Sequence, residues 1–195
     1  MSACEKLVFL GDRDVGKESL AIRLTRNEFS VEPSNFRLPY YVHTMTVYGH
    51  VVKLQLWATT GRERSRPLAP YYYEGASGAL VVFDVSNASS FEAVQSWIDE
   101  LETVAAPLVS TNFKVILVGN KIDLADRAVD PDRITELSQR VGAPYFEASA
   151  KTGEGVKEAF EALVRSIIMS KRNDNDEEEL KRNKSEAETR KCLIN

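Results

Sequence analysis

Cysteine is scarce: the 195 residues hold two, Cys4 and Cys192, at opposite ends of the chain. That spacing argues against a disulfide framework and suits a reducing cytosol. Long apolar runs are missing too. Apolar residues make up an ordinary 43% of the chain, but no stretch approaches the ~18 consecutive ones that span a bilayer. Positive charge is not in excess. The net charge is −4, so no global field draws the chain to nucleic acid or to an anionic membrane. The first residues lack the form of a secretory signal, and none is expected. There is no internal repeat. What remains is length enough for one domain with a real core and a short appendage.

The stretch that organises the chain is Gly11-Asp12-Arg13-Asp14-Val15-Gly16-Lys17-Glu18-Ser19. It follows the apolar Leu7-Val8-Phe9-Leu10 and leads into Leu20-Ala21-Ile22-Arg23-Leu24, an order that reads strand, glycine-bounded loop, helix. The loop fits G-x-x-x-x-G-K, the phosphate cradle of P-loop proteins. Glycines let the backbone wrap close to phosphate, successive N–H groups point inward, and a helix N-terminus adds positive partial charge. Lys17 supplies a point charge for terminal phosphates. The candidate phosphate-binding residues are Asp14, Val15, Gly16, Lys17, Glu18 and Ser19. Glu18 departs from the pattern, which has there a Ser or Thr whose hydroxyl ligates Mg²⁺.

The rest of the chain alternates strands and helices. Residues 41–48 and 51–57 read as a β-hairpin turned at Gly49-His50, whereas residues 29–40 and 58–71 read as irregular. Strands are expected at 79–83, 114–118 and 144–146. Helices are expected at 89–104, capped by Ser89 or Ser90, at 131–141 with Pro131 near the start, and at 153–169. Such alternation implies a mainly parallel sheet covered on both faces, with ligands at the carboxyl ends of its strands. From about Lys171 the chain carries one leucine and no other large apolar residue before Lys191. That composition reads as a tether, or in part as a solvated helix extension.

Two further motifs follow predicted strands: Asn120-Lys121-Ile122-Asp123 and Ser149-Ala150-Lys151. Together with the P-loop they resemble the small GTPases, and among these the Rab family, over about residues 5–170 and into the tail. The first looks like the N-K-x-D guanine motif and the second like S-A-K. A carboxylate at Asp123 suits the N1–H and exocyclic amine of guanine, and adenine would leave it desolvated and unpaired. Lys121 has a stem that can lie over the base while its head stays in water. The resemblance implies that Asn120 buttresses the loop and that the Ala150 amide meets the guanine O6. Residues 54–64 look like the Rab strand entering D-T-A-G-Q-E-R, which brings Gly61 into the nucleotide set. Tyr72-Tyr73-Glu74-Gly75-Ala76 resembles Y-Y-R-G-A. Tyr40, Trp57 and Tyr72 then fall on the aromatic surface triad that Rab proteins present to partners.

The resemblance implies an α/β P-loop fold of the small-GTPase kind, with a mostly parallel six-stranded sheet and helices on both faces. It divides the chain into a G domain at 1–170 and a flexible tail at 171–195. Three departures meet at one metal ion: Glu18, Asn35 in place of the switch threonine, and Ala58 in place of the metal-orienting aspartate. Arg62 stands where the glutamine that positions water belongs, and Asp14 where a P-loop glycine does. Glu18 either pairs with Arg62 or Arg13 in a metal-free site or ligates Mg²⁺ itself. The expectation is GTP or GDP binding that outlives hydrolysis, with Mg²⁺ held weakly or not at all. The alternatives are unchanged family behaviour and a pseudo-GTPase scaffold without a nucleotide cycle. A P-loop kinase of small molecules is disfavoured by the guanine motif. Cys192-Leu193-Ile194-Asn195 has the C-a-a-X form of a prenylation site. The implied setting is a monomer on the cytoplasmic face of an intracellular membrane, exchanging with cytosol. Its implied partners are Rab-type effectors and regulators, without nucleic acid.

Overall fold

The computed structural model describes residues 3–30, 40–59 and 70–172. Six strands form one sheet: β1 (Ala3–Leu10), β2 (Tyr41–Val47), β3 (His50–Ala58), β4 (Gly78–Asp84), β5 (Lys114–Asn120) and β6 (Tyr145–Ala148). Their spatial order is β2-β3-β1-β4-β5-β6. Only the β2–β3 pairing is antiparallel, so the expected mostly parallel α/β sheet is what the chain forms.

Helices cover both faces. Alternate residues of β1 divide the core: Leu7 and Phe9 point to one side, Val8 and Leu10 to the other. The first side packs against α1 (Lys17–Arg26) and α5 (residues 156–172), through Leu20 and Ala21 of α1 and Phe160, Leu163 and Ile167 of α5. The second packs against α2 (Ala88–Glu92), α3 (Val94–Glu100) and α4 (Pro131–Val141), through Phe91, Val94, Trp97, Ile134 and Leu137. Strands buried on both faces read as continuous apolar runs, and β4 is buried at every residue.

Several local readings need correction. The hairpin turns at Tyr48-Gly49, not Gly49-His50. Both turn residues have positive φ, 52° and 75°, the geometry that matches strand twist in a two-residue loop. Val47 then pairs directly with His50. The helix expected at 89–104 is interrupted. It is capped by Asn87, whose side chain accepts from the Ser89 N–H, because the Ser90 hydroxyl is already turned inward to the Asp84 N–H. The helix is interrupted at Ala93 and widens into a π turn over Leu101–Ala105, just before Pro107, which has no N–H to continue an α ladder. α5 starts at 156, not 153, after Gly153 and Gly155 at φ 90° and 68°. It continues through 172, with Lys171 bonded to the buried Glu5. Among the described residues, no helix is long and apolar enough to cross a membrane.

Candidate functional site

The P-loop leaves the carboxyl end of β1, the Asn120 motif leaves β5 and the Ser149 motif leaves β6. These are parallel strands, so all three loops reach the same edge of the sheet, where such folds bind ligands. The loop geometry explains its glycines. Gly11 has φ 129° and approaches β4 so closely that a Cβ would lie 2.1 Å from the Val82 carbonyl oxygen. Gly16 caps α1 at φ 95°, where a Cβ would meet the Asn120 amide nitrogen at 2.2 Å. Asp14 keeps a left-handed φ of 64°, a conformation that aspartate tolerates better than most residues. Gly16, as the N-cap, brings no side chain to cap α1.

Lys17 is buried and its ammonium donates to the carbonyls of Gly11 and Asp12 at 2.7 and 2.6 Å. Val15 is buried in the core, and Ser19 lies in the first turn of α1. Asn120, 1% exposed, joins two of the three loops. Its amide donates to the Val15 carbonyl at 2.8 Å, and its oxygen accepts from the Ala150 N–H at 3.1 Å. Asn120 thus bonds both neighbouring loops, and the Ala150 amide implied for guanine is bonded to Asn120. Asp123 accepts from the Ser149 hydroxyl at 2.6 Å, and Lys151 lies 3.6 Å from its other oxygen. The Lys121 side chain is partly exposed, and its ammonium has a protein partner. It pairs with Asp84 at 2.6 Å. Burial pushes the Asp84 carboxyl up, but the hydrogen bonds from Lys121 and Ser86 outweigh it and hold the carboxyl below its ordinary value.

Of the two arginine candidates, Arg62 lies outside the described residues and Arg13 does not pair with Glu18. Its carboxylate accepts from the Tyr41 hydroxyl at 2.7 Å, and Arg13 pairs instead with Asp14 at 3.2 Å. Asn35, Gly61, Arg62 and Cys192 lie outside the described residues.

The aromatic triad comes together. Tyr40 stacks on Trp57 at 5.1 Å and Tyr72 meets Trp57 edge-on at 6.1 Å. Tyr71, half-exposed, adds a fourth ring, and the Lys6 ammonium sits 4.4 Å from the Trp57 ring centre. Burial pushes the Lys6 ammonium below its ordinary value.

Three supports were not read from the sequence. Arg23 of α1 donates to the carbonyls of Ala150 and Lys151 at 2.8 and 2.6 Å. The Trp97 indole donates to Asp12 at 3.2 Å. Arg127 pairs with Glu147 at 2.6 Å and holds its carboxyl below the ordinary value, next to Tyr145, whose hydroxyl burial pushes up. Each joins residues far apart in the chain, and no spacing rule signals such contacts.

Residues 6–169 match the Ras family profile. This chain is a Rab-type protein of the Ras family. It is 40% identical to Ras-related protein Rab-18 of Lymnaea stagnalis, over 85% of this chain and 81% of that one. It is 38% identical to the putative ras-related protein Rab-5B of Dictyostelium discoideum, over 84% and 75%. It is 39% identical to GTP-binding protein YPT53 of Saccharomyces cerevisiae, over 86% and 78%. For this Rab-type chain the mostly parallel six-stranded α/β sheet agrees with the family assignment.

Proposed function

We propose that this Rab-type protein binds guanine nucleotide, acts in membrane trafficking and hydrolyses GTP slowly or not at all. The observation that carries the reading is Asn120 bridging the phosphate loop and the Ser149-Ala150-Lys151 loop. That bridge sets a phosphate cradle and a base-reading carboxylate, Asp123, in one fixed relation. Lys17 would hold phosphate, and Asp123, backed by Ser149 and Lys151, would read the guanine edge.

Slow turnover is expected from the residue types at the family's motif positions. Arg62 in place of glutamine cannot orient water as a neutral amide does. The described donors fit a magnesium ion poorly. Glu18 is engaged by Tyr41, and Ala58 brings no side-chain oxygen. Nucleotide binding is therefore expected to depend little on Mg²⁺. Tyr40, Trp57 and Tyr72 would meet effectors and regulators, since large rings at a surface suit interface anchors. Cys192 would carry a prenyl chain on the cytoplasmic face of a membrane.

A single-turnover assay with GTP tests the catalytic half. The expected rate is far below that of an ordinary Rab protein and unchanged by EDTA. A normal rate with normal Mg²⁺ dependence contradicts it. The nucleotide content of the purified protein separates a binder from a scaffold without a nucleotide cycle: guanine nucleotide supports the first, none the second.

A further inference from the structure

Three carboxylates flank the phosphate loop, and each has a partner from outside its own position. Asp12 takes the indole N–H of Trp97, Asp14 lies beside Arg13, and Glu18 takes the hydroxyl of Tyr41. The Asp14 and Arg13 side chains are 81% and 60% exposed, so water screens that pair. The Glu18–Tyr41 bond is different. Tyr41 is 5% exposed, it begins the edge strand β2, and the Arg26 guanidinium lies 5.9 Å from its ring centre. The bond spans 23 residues and ties the first turn of α1 to the sheet.

An unrestrained carboxylate in that first turn would compete with phosphate for the same helix-terminal amides. We propose that Tyr41 is a positioning residue that holds the Glu18 carboxylate on the β2 side, clear of the phosphate cradle. The tie is made of protein atoms alone and needs no cation. The inference rests on the cradle being a nucleotide-phosphate site.

The test is equilibrium titration of the full-length protein with N-methylanthraniloyl-GDP in EDTA. Tyr41→Phe keeps the ring and removes the hydroxyl. It is expected to weaken binding by about tenfold or more, the scale of a lost hydrogen bond to a charged group. Adding Glu18→Gln to Tyr41→Phe removes the released charge and is expected to restore binding to within about threefold of the parent. A purely structural role for Tyr41 would not be rescued by neutralising Glu18. Unchanged binding in Tyr41→Phe, or a double variant as weak as Tyr41→Phe, overturns the proposal. If the parent binds no labelled GDP, the guanine reading fails and inorganic pyrophosphate becomes the probe. Loss and rescue of pyrophosphate binding would then support the tie, and indifference to both substitutions, or no pyrophosphate binding by any form, would overturn it.

Discussion

Asn120 joins two loops of the candidate site. Its side chain is buried, donates one N–H to the backbone of one loop and accepts from the backbone of another. Asn120→Ala leaves the Val15 carbonyl and the Ala150 N–H without that partner, so it is expected to lower stability by about 2–3 kcal/mol, measured by urea unfolding. Asp84 gives a pH prediction. Its carboxyl is held below the 3.8 of a free aspartate by Lys121 and Ser86, despite the burial that opposes them. A depressed folded-state value adds stability that is present above about pH 4 and is lost as pH falls through the folded value. Asp84→Asn should therefore flatten the acid limb of a stability-against-pH profile and leave the slope near neutrality unchanged. Residue identities at the site were legible because Lys17, Asn120, Asp123 and Ser149 sit in fixed spacings. Where their side chains point was not. The pairing of the Lys121 head with Asp84 was not read, because the acceptor comes from a strand 37 positions earlier in the chain.

At the scale of elements, strands and helices were legible wherever the pattern was local. α4 runs over the residues expected, since Pro131 and the flanking Asp130 and Gly142 mark both ends. The helix after β4 was less legible: Asn87 is the cap in place of the expected Ser89 or Ser90, and the Ser90 hydroxyl is taken by the backbone of Asp84. Asn87→Ala is expected to cost about 1 kcal/mol of stability by thermal unfolding, while Ser89→Ala, which keeps the Ser89 N–H that Asn87 uses, costs less. The turn of the hairpin was misplaced by one residue because the tyrosine at 48 adopts a positive φ that no sequence rule assigns to it. Packing between layers follows the strand pleat. Leu80 lies at the centre of β4 with no exposure, so Leu80→Ala should cost about 2–5 kcal/mol in denaturant unfolding.

For the molecule as a whole, α5 closes the first layer and the chain leaves it beside β1. Lys171 reaches both oxygens of Glu5 at 2.8 Å, and Ser77 donates to the same carboxylate. Glu5 is 2% exposed, so removing its cation leaves a buried charge with only a hydroxyl. Lys171→Ala is expected to cost about 2 kcal/mol, discounted because the lysine is partly in water. This bond holds the last described turn of α5 against β1. On the proposed prenylation of Cys192, Cys192→Ser should move the protein from membrane to cytosol on fractionation. On the proposed function, guanine is still read while Mg²⁺ adds little to phosphate binding. Calorimetric titration with GDP and with ADP, each in Mg²⁺ and in EDTA, tests it most directly. The predicted result is binding of GDP with nearly equal affinity in both buffers and no measurable binding of ADP. Equal heats for the two bases, or GDP binding that disappears in EDTA, would contradict it.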